Sequence, residues 1–125
     1  MLFRSIGEVN EVVFLPARPR LPFEKLLAFG LGPRASFDGT RCRQVLERIL
    51  DTLEGLNVKK ALLELPGRSL GAIEPENAAE ILLEALGNDD RDGIMLVDDA
   101  DAERRMAKHA LERHRKTMRA QAAAR

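Results

Sequence analysis

The residues best placed to contact a ligand lie in a glycine-containing turn that ends at Asp38. The candidate anion site consists of Gly30, Gly32, Arg34 and Ser36, because glycines admit close approach and the following helix offers free N–H groups and a positive dipole end. The turn matches neither GxGxxG nor a Walker loop, and Asp38 stands where an anion would need room. A plain strand-to-helix turn is the favoured interpretation, and an anion site is the alternative.

An acidic run further along the chain partly matches a calcium loop, with oxygen ligands at alternate positions, glycine at the sixth and a carboxylate at the twelfth. The residues are Asn88, Asp89, Asp90, Asp92, Gly93 and Asp99. Asparagine at the first position and aspartate at the last weaken the match, and the residues between Ile94 and Val97 favour a buried strand. A solvated loop followed by a helix cap is therefore favoured over calcium binding.

No nucleophile with a neighbouring base is visible in the sequence. Cys42 falls on an apolar helix face, where a buried thiol is inert. His109 and His114 are five residues apart, so they diverge on a helix and are expected at the surface. Glu80 and Glu84 share a helix face without further ligands and are expected to face solvent. The sequence therefore predicts no catalytic residue, no metal site and no cofactor.

The C-terminal segment is strongly basic, with eight Lys or Arg residues from Arg104 to Arg125. Phosphate contacts with nucleic acid are one interpretation. The chain has no Trp or Tyr for base stacking, however, and Glu103 and Glu112 interrupt the basic run. A solvated helix end is favoured, and no nucleic-acid partner is expected.

Length and composition limit the classes of protein further. A chain of 125 residues and 13.9 kDa is expected to form one domain. Twenty basic and twenty acidic residues give zero formal charge, so no global field favours nucleic acid or a membrane. The single cysteine excludes an internal disulfide, and no apolar run is long enough for a signal peptide or a membrane span. We expect a soluble, cytoplasmic protein.

Hydrophobic patterning predicts alternating strands and helices, which is typical of an α/β fold with a mainly parallel (mixed) sheet and helices on both faces. Predicted strands cover 11–15, 25–29, 58–65 and 94–97. The near-continuous apolar run of the second strand predicts a central position, covered on both faces. A helix from about residue 41 joins it to the next strand as a βαβ crossover, and later helices begin at Pro75 and after Asp99 or Asp101.

The first helix has the clearest periodicity, with apolar residues at three- and four-residue steps. The predicted core face consists of Cys42, Val45, Leu46, Ile49, Leu50, Leu53 and Leu56. Ser36, Asp38 or Thr40 is expected to cap the N-terminus of this helix.

Several segments in order carry a family resemblance: LLAFGLGPRASFD, a long helix, VKKALLELPG, PENAAEILLEAL and GIMLVDDADAERRMAKHAL. From about Val12 to Leu111 the chain resembles the N-terminal, macro-like domain of the cytosolic leucyl aminopeptidase family. The resemblance implies a three-layer α/β/α domain, which we place at 1–118, with a disordered tail at 119–125. Macro-like folds include binders of ADP-ribose, so ADP-ribose or another phosphate compound is the ligand implied for the alternative site at Gly30 to Asp38.

Two departures from that family shape the expected function. The two-metal peptidase half has no counterpart in these residues, so the resemblance passes no catalytic role to any of them. The family's domain also ordinarily begins with a further strand and helix, so this version is expected to be shortened at its N-terminus and to stand alone. A sheet without its flanking elements exposes an apolar face or an edge. We therefore expect a non-catalytic interaction, assembly or regulatory module, paired with a second copy or with a separate aminopeptidase-like chain.

Overall fold

The computed structural model describes residues 11–16, 18, 22–87 and 93–124. It contains four strands, three α-helices and a short 3₁₀ helix within that part of the chain. In chain order these are β1 (Val12–Pro16), β2 (Lys25–Phe29), the 3₁₀ helix (Arg34–Ser36), α1 (Gly39–Gly55), β3 (Ala61–Leu63), α2 (Pro75–Leu86), β4 (Ile94–Leu96) and α3 (Ala100–Ala123). The predicted α/β class is confirmed, and the boundary between a domain at 1–118 and a tail at 119–125 stays a prediction.

The described strands form two ladders, each of two strands. β1 and β2 make an antiparallel pair with Val12 opposite Phe29, whereas β3 and β4 make a parallel pair with Leu62 opposite Met95. The parallel pair is joined through α2, so the βαβ unit of the described chain is β3–α2–β4. The predicted βαβ crossover through α1 is wrong for the described strands, because β2 and β3 belong to different ladders.

The expected central position of β2 is also wrong. Its described hydrogen-bonded partner is β1, and its apolar side chains are only half-buried. Leu27 and Phe29 pack against the core on one side of the strand. The continuous apolar run reflects one packed face and one partly open face, and the run alone does not distinguish this from a strand covered on both faces.

α1 supplies much of the core, as its periodicity predicts. Six of its seven predicted core residues are buried, and Leu56 is the exception at 41% exposed. Leu56 lies at the C-cap, beyond the last helical turn, so it leaves the apolar face. Asp38 is the observed N-cap of α1 and Asp99 that of α3, and both belong to the predicted sets.

The core lies between the three helices and one face of the β3–β4 pair. Leu63 is buried, and Ala61, Ile94 and Leu96 pack against the same cluster. Alternation along the strands turns Leu62 and Met95 to the opposite face. Leu62 is 50% exposed and Met95 65% exposed, so the expectation of a buried last strand is wrong for the outer face of β4.

Candidate functional site

The turn after β2 uses several of its polar groups within the protein. The N–H of Gly30 donates to the carbonyl of Glu11 at 2.8 Å, and Gly32 adopts a positive φ of 74°. The Ser36 hydroxyl donates to the carbonyl of Pro33 at 3.1 Å. The four residues of the candidate anion site thus lie along one short turn: Gly30, Gly32, Arg34 and Ser36. The hydroxyl proton of Ser36 is already used in a hydrogen bond within this turn.

Asp38 occupies the N-terminus of α1 with its own negative charge. Its carboxylate accepts a hydrogen bond from the backbone N–H of Arg41 at 2.8 Å, and its carbonyl accepts one from the N–H of Cys42 at 2.9 Å. A helix N-terminus attracts an anion through its free N–H groups, and the capping carboxylate already meets that demand. The anion site stays a prediction, and the Asp38 carboxylate is the feature that weighs against it.

The turns after β2 and β3 meet at Gly67. This residue has φ of 85°, and a Cβ built there would lie 2.3 Å from the ring of Phe37. Only the missing side chain lets the Phe37 ring lie this close to the backbone. Because Phe37 directly follows the 3₁₀ helix, the contact fixes the predicted ligand turn against the exit of β3.

An ion pair that the sequence analysis missed lies at the carboxyl ends of β3 and β4. Arg68 Nε donates to Asp98 Oδ2 at 2.9 Å, and another guanidinium nitrogen of Arg68 donates to the carbonyl of Ile73 at 2.8 Å. Both charged side chains are only 12% exposed. The signal was present in the sequence, since each residue follows a predicted strand and the carboxyl ends of parallel strands meet at one edge. The pair holds the two loops together, and its opposite charges balance each other.

Acidic residues of α2 and basic residues of α3 form an ion-pair network between the two helices. Arg105 donates to the carboxylates of Glu76, at 2.5 Å, and of Glu74, at 2.7 Å. The hydrogen bond from Arg105 lowers the pKa of Glu76, and the bonds to Glu76 and Glu74 raise the pKa of Arg105. Part of the basic segment therefore serves α2–α3 packing.

The same network includes three residues of which two were expected at the surface. His109 Nε2 lies 2.6 Å from Glu80 Oε2, and Arg113 Nε donates to Glu80 Oε1 at 3.2 Å. These two contacts lower the pKa of Glu80, with the His109 hydrogen bond as the larger cause. Glu80 and His109 are partly exposed, but each has a partner on the other helix, which sequence spacing does not reveal.

Glu84 also has a partner, since its carboxylate forms an ion pair with Arg43 of α1. An open cleft of about 480 Å³ lies near this pair, and Glu74, Glu80 and Glu84 line it together with Ile73 and Ile81. Each of the three carboxylates is engaged by a basic side chain. The cleft thus presents compensated charges, and Glu84 is exposed, as expected, as well as ion-paired.

Cys42 is fully buried, as predicted, and its thiol lies 3.5 Å from the carbonyl of Pro66. Burial raises the pKa of the thiol to about 11, which keeps it protonated and unreactive near neutral pH. Within the described ranges, no group of three or more His, Cys, Asp or Glu side chains is arranged to hold a metal ion. The acidic run considered for calcium lies outside the described residues from Asn88 to Asp92.

The cytosol aminopeptidase family, N-terminal domain, matches residues 6–91 of this chain. The match covers more than half of the sequence, and the chain therefore belongs to this family of N-terminal domains. No curated protein and no solved structure matches the chain at a significant level. Among the helices of the described residues, none is long and apolar enough to cross a membrane.

Proposed function

We propose that this domain is a non-catalytic interaction module that assembles with another polypeptide, either a second copy or a separate aminopeptidase-like chain. The family match supports it, because the matching region is the N-terminal domain of the family and not its peptidase domain. The family's cytosolic name also supports a cytoplasmic location.

The single observation that carries the proposal is the apolar outer face of the β3–β4 pair. Leu62, Met95 and Val97 are each at least half exposed there, at 50%, 65% and 51%. Leu62 and Met95 lie opposite each other in the ladder, so their side chains form one continuous surface. A contiguous apolar surface on a sheet is typical of a contact with another polypeptide.

The test compares tagged wild-type protein with Met95→Lys in two experiments. Mass spectrometry of the proteins that co-purify identifies an aminopeptidase-like chain, and ultracentrifugation of the pure protein detects a second copy. We expect wild type to form one of these complexes and Met95→Lys to lose it, because a charge on the outer face opposes burial. Leu56→Lys is the matched control, since Leu56 is 41% exposed but lies at the end of α1.

Three results would contradict the proposal. The first is a wild-type protein that is monomeric and recovers no aminopeptidase-like chain, and the second is a complex that Met95→Lys leaves unchanged. The third is release of leucine from a chromogenic amide by the pure protein with added manganese or zinc, which would show that the domain is itself an enzyme.

A further inference from the structure

The C-terminal half of α3 presents a basic, partly apolar face away from the domain. Leu111 and Met118 are 50% and 53% exposed and are seven residues apart, so they lie on one side of the helix. Lys108, Arg115 and Arg119 border them on the same side and are exposed. Among the described residues, none forms an ion pair with Lys108, Arg115 or Arg119.

Zero net charge conceals a strong separation of charge along the chain. Residues 104–125 contain eight Lys or Arg and one Glu, so the preceding residues contain the other twelve basic and nineteen acidic residues. One segment is therefore strongly basic while the remainder is acidic by the same amount. A second copy of the chain carries the acidic surface that the basic segment lacks.

An acidic ridge of suitable spacing lies on α1. Glu47 and Asp51 are exposed, one helical turn apart, and Gly55 continues the same row four residues later. A Cβ built at Gly55 would have no atom within 4 Å, so that position is open to a neighbouring side chain. α2 packs against both α1 and α3, whereas α1 and α3 do not pack closely against each other.

We propose that α3 of one copy docks antiparallel against α1 of a second copy, with Arg119 beside Glu47 and Arg115 beside Asp51. Arg115 and Arg119 are four residues apart on α3, and Glu47 and Asp51 are four residues apart on α1. Each spacing is about 6 Å along the helix axis, so both ion pairs can form together. The next residue in each row brings Leu111 beside Gly55, where no side chain obstructs it. This inference rests on the proposed assembly function, names a second copy as the partner, and adds an α1–α3 contact to the one at the outer face of β3–β4.

The alternatives fit these observations less well. Two α3 helices packed on each other would juxtapose Lys108, Arg115 and Arg119 with their own copies, and like charges oppose association. A nucleic acid would satisfy the cations through phosphates, but the chain has no Trp or Tyr on which bases could stack. Charge complementarity favours the acidic helix of a second copy.

The test is sedimentation equilibrium of the full chain with single charge reversals on each helix. We expect wild type to self-associate, and Arg115→Glu and Asp51→Arg each to weaken association about tenfold or more, because each places like charges together. Lys116→Glu is the matched control: it makes the same charge change at the next residue, which points about 100° away on the helix. It should leave association within about threefold of wild type.

Mixing Arg115→Glu with Asp51→Arg supplies the decisive measurement, because opposite charges then face each other at both contacts of the mixed pair. One contact carries the reversed charges, and the other keeps the native Arg115 and Asp51. We expect association between the two variants to exceed that of either variant alone. Circular dichroism checks that each variant retains its helices, and either variant reports on the contact if the other misfolds.

A monomeric wild type would overturn the inference, and so would self-association that Arg115→Glu and Asp51→Arg leave unchanged. Self-association insensitive to these reversals, but abolished by Met95→Lys, would overturn the α1–α3 contact and leave the proposed assembly function standing. RNA or DNA binding that depends on Arg115, without self-association, would assign the basic face to nucleic acid and also overturn the inference.

Discussion

At the scale of single residues, Gly67 is the position where one side-chain atom would have the clearest effect. Its φ of 85° is unfavourable for any residue with a side chain, and the Phe37 ring occupies the space of a Cβ. Gly71 has a similar φ of 62°, but a Cβ there would meet no atom within 4 Å. The two glycines therefore separate the cost of backbone conformation from the cost of displacing Phe37.

We expect Gly67→Ala to destabilise the domain by more than about 1 kcal/mol, since it adds a steric conflict to the backbone strain. Gly71→Ala should cost about 1 kcal/mol from the backbone alone. Urea unfolding followed by circular dichroism measures both. Equal losses of stability in the two variants would show that the Phe37 contact contributes little.

Residue spacing predicts some of the site and misses the rest for a physical reason. Caps act over three residues, so Asp38 and Asp99 were among the predicted caps, and the burial of Cys42 followed from its place on an apolar face. The contacts of Arg68 with Asp98 and of Glu80 with His109 span about thirty residues. Such partners depend on the packing of separate elements, which local patterns do not specify.

At the scale of elements, α2 and α3 are joined by a carboxylate whose ionisation matters. Hydrogen bonds from His109 and Arg113 lower the pKa of Glu80 below its usual value of 4.5. Because the pKa of Glu80 is lower in the folded state than in the unfolded state, its ionised form stabilises the fold at pH values above the unfolded-state pKa. This stabilisation is lost as the pH falls through the folded-state pKa.

We therefore expect Glu80→Gln to reduce stability at pH 7 and to shrink the loss of stability between about pH 5 and pH 3. The free energy of unfolding from urea titrations at several pH values is the quantity to measure. Glu112→Gln provides the control on α3, because Glu112 is exposed. A pH profile of Glu80→Gln that coincides with wild type would show that Glu80 contributes nothing to this acid sensitivity.

The elements themselves were predictable to different degrees. α1 has a period that only a helix with one buried face produces, and its core residues were predicted almost completely. The strands are three to five residues long, too short for a pattern to specify their partners. Their pairing into separate antiparallel and parallel ladders was not foreseen, because it depends on tertiary contacts.

At the scale of the whole molecule, the alternative function as a phosphate-ligand module makes a separate prediction. We expect calorimetric titration with ADP-ribose to give no saturable heat, because the Asp38 carboxylate already caps the helix at the candidate turn. Saturable heat that disappears in Arg34→Ala would contradict this expectation and support the anion site at Gly30 to Asp38. Arg18→Ala, a change outside that turn, would show whether any effect is specific.

The separation of the strands into two ladders also has a consequence for the motions of the domain. No described backbone ladder joins the β1–β2 hairpin to β3–β4, and the hairpin contacts the core through Leu27 and Phe29. Exposed Val13, Phe14 and Leu15 add little to that attachment. The hairpin can therefore open as a unit while the helices stay folded, so its amide protons should exchange with solvent sooner than those of α1.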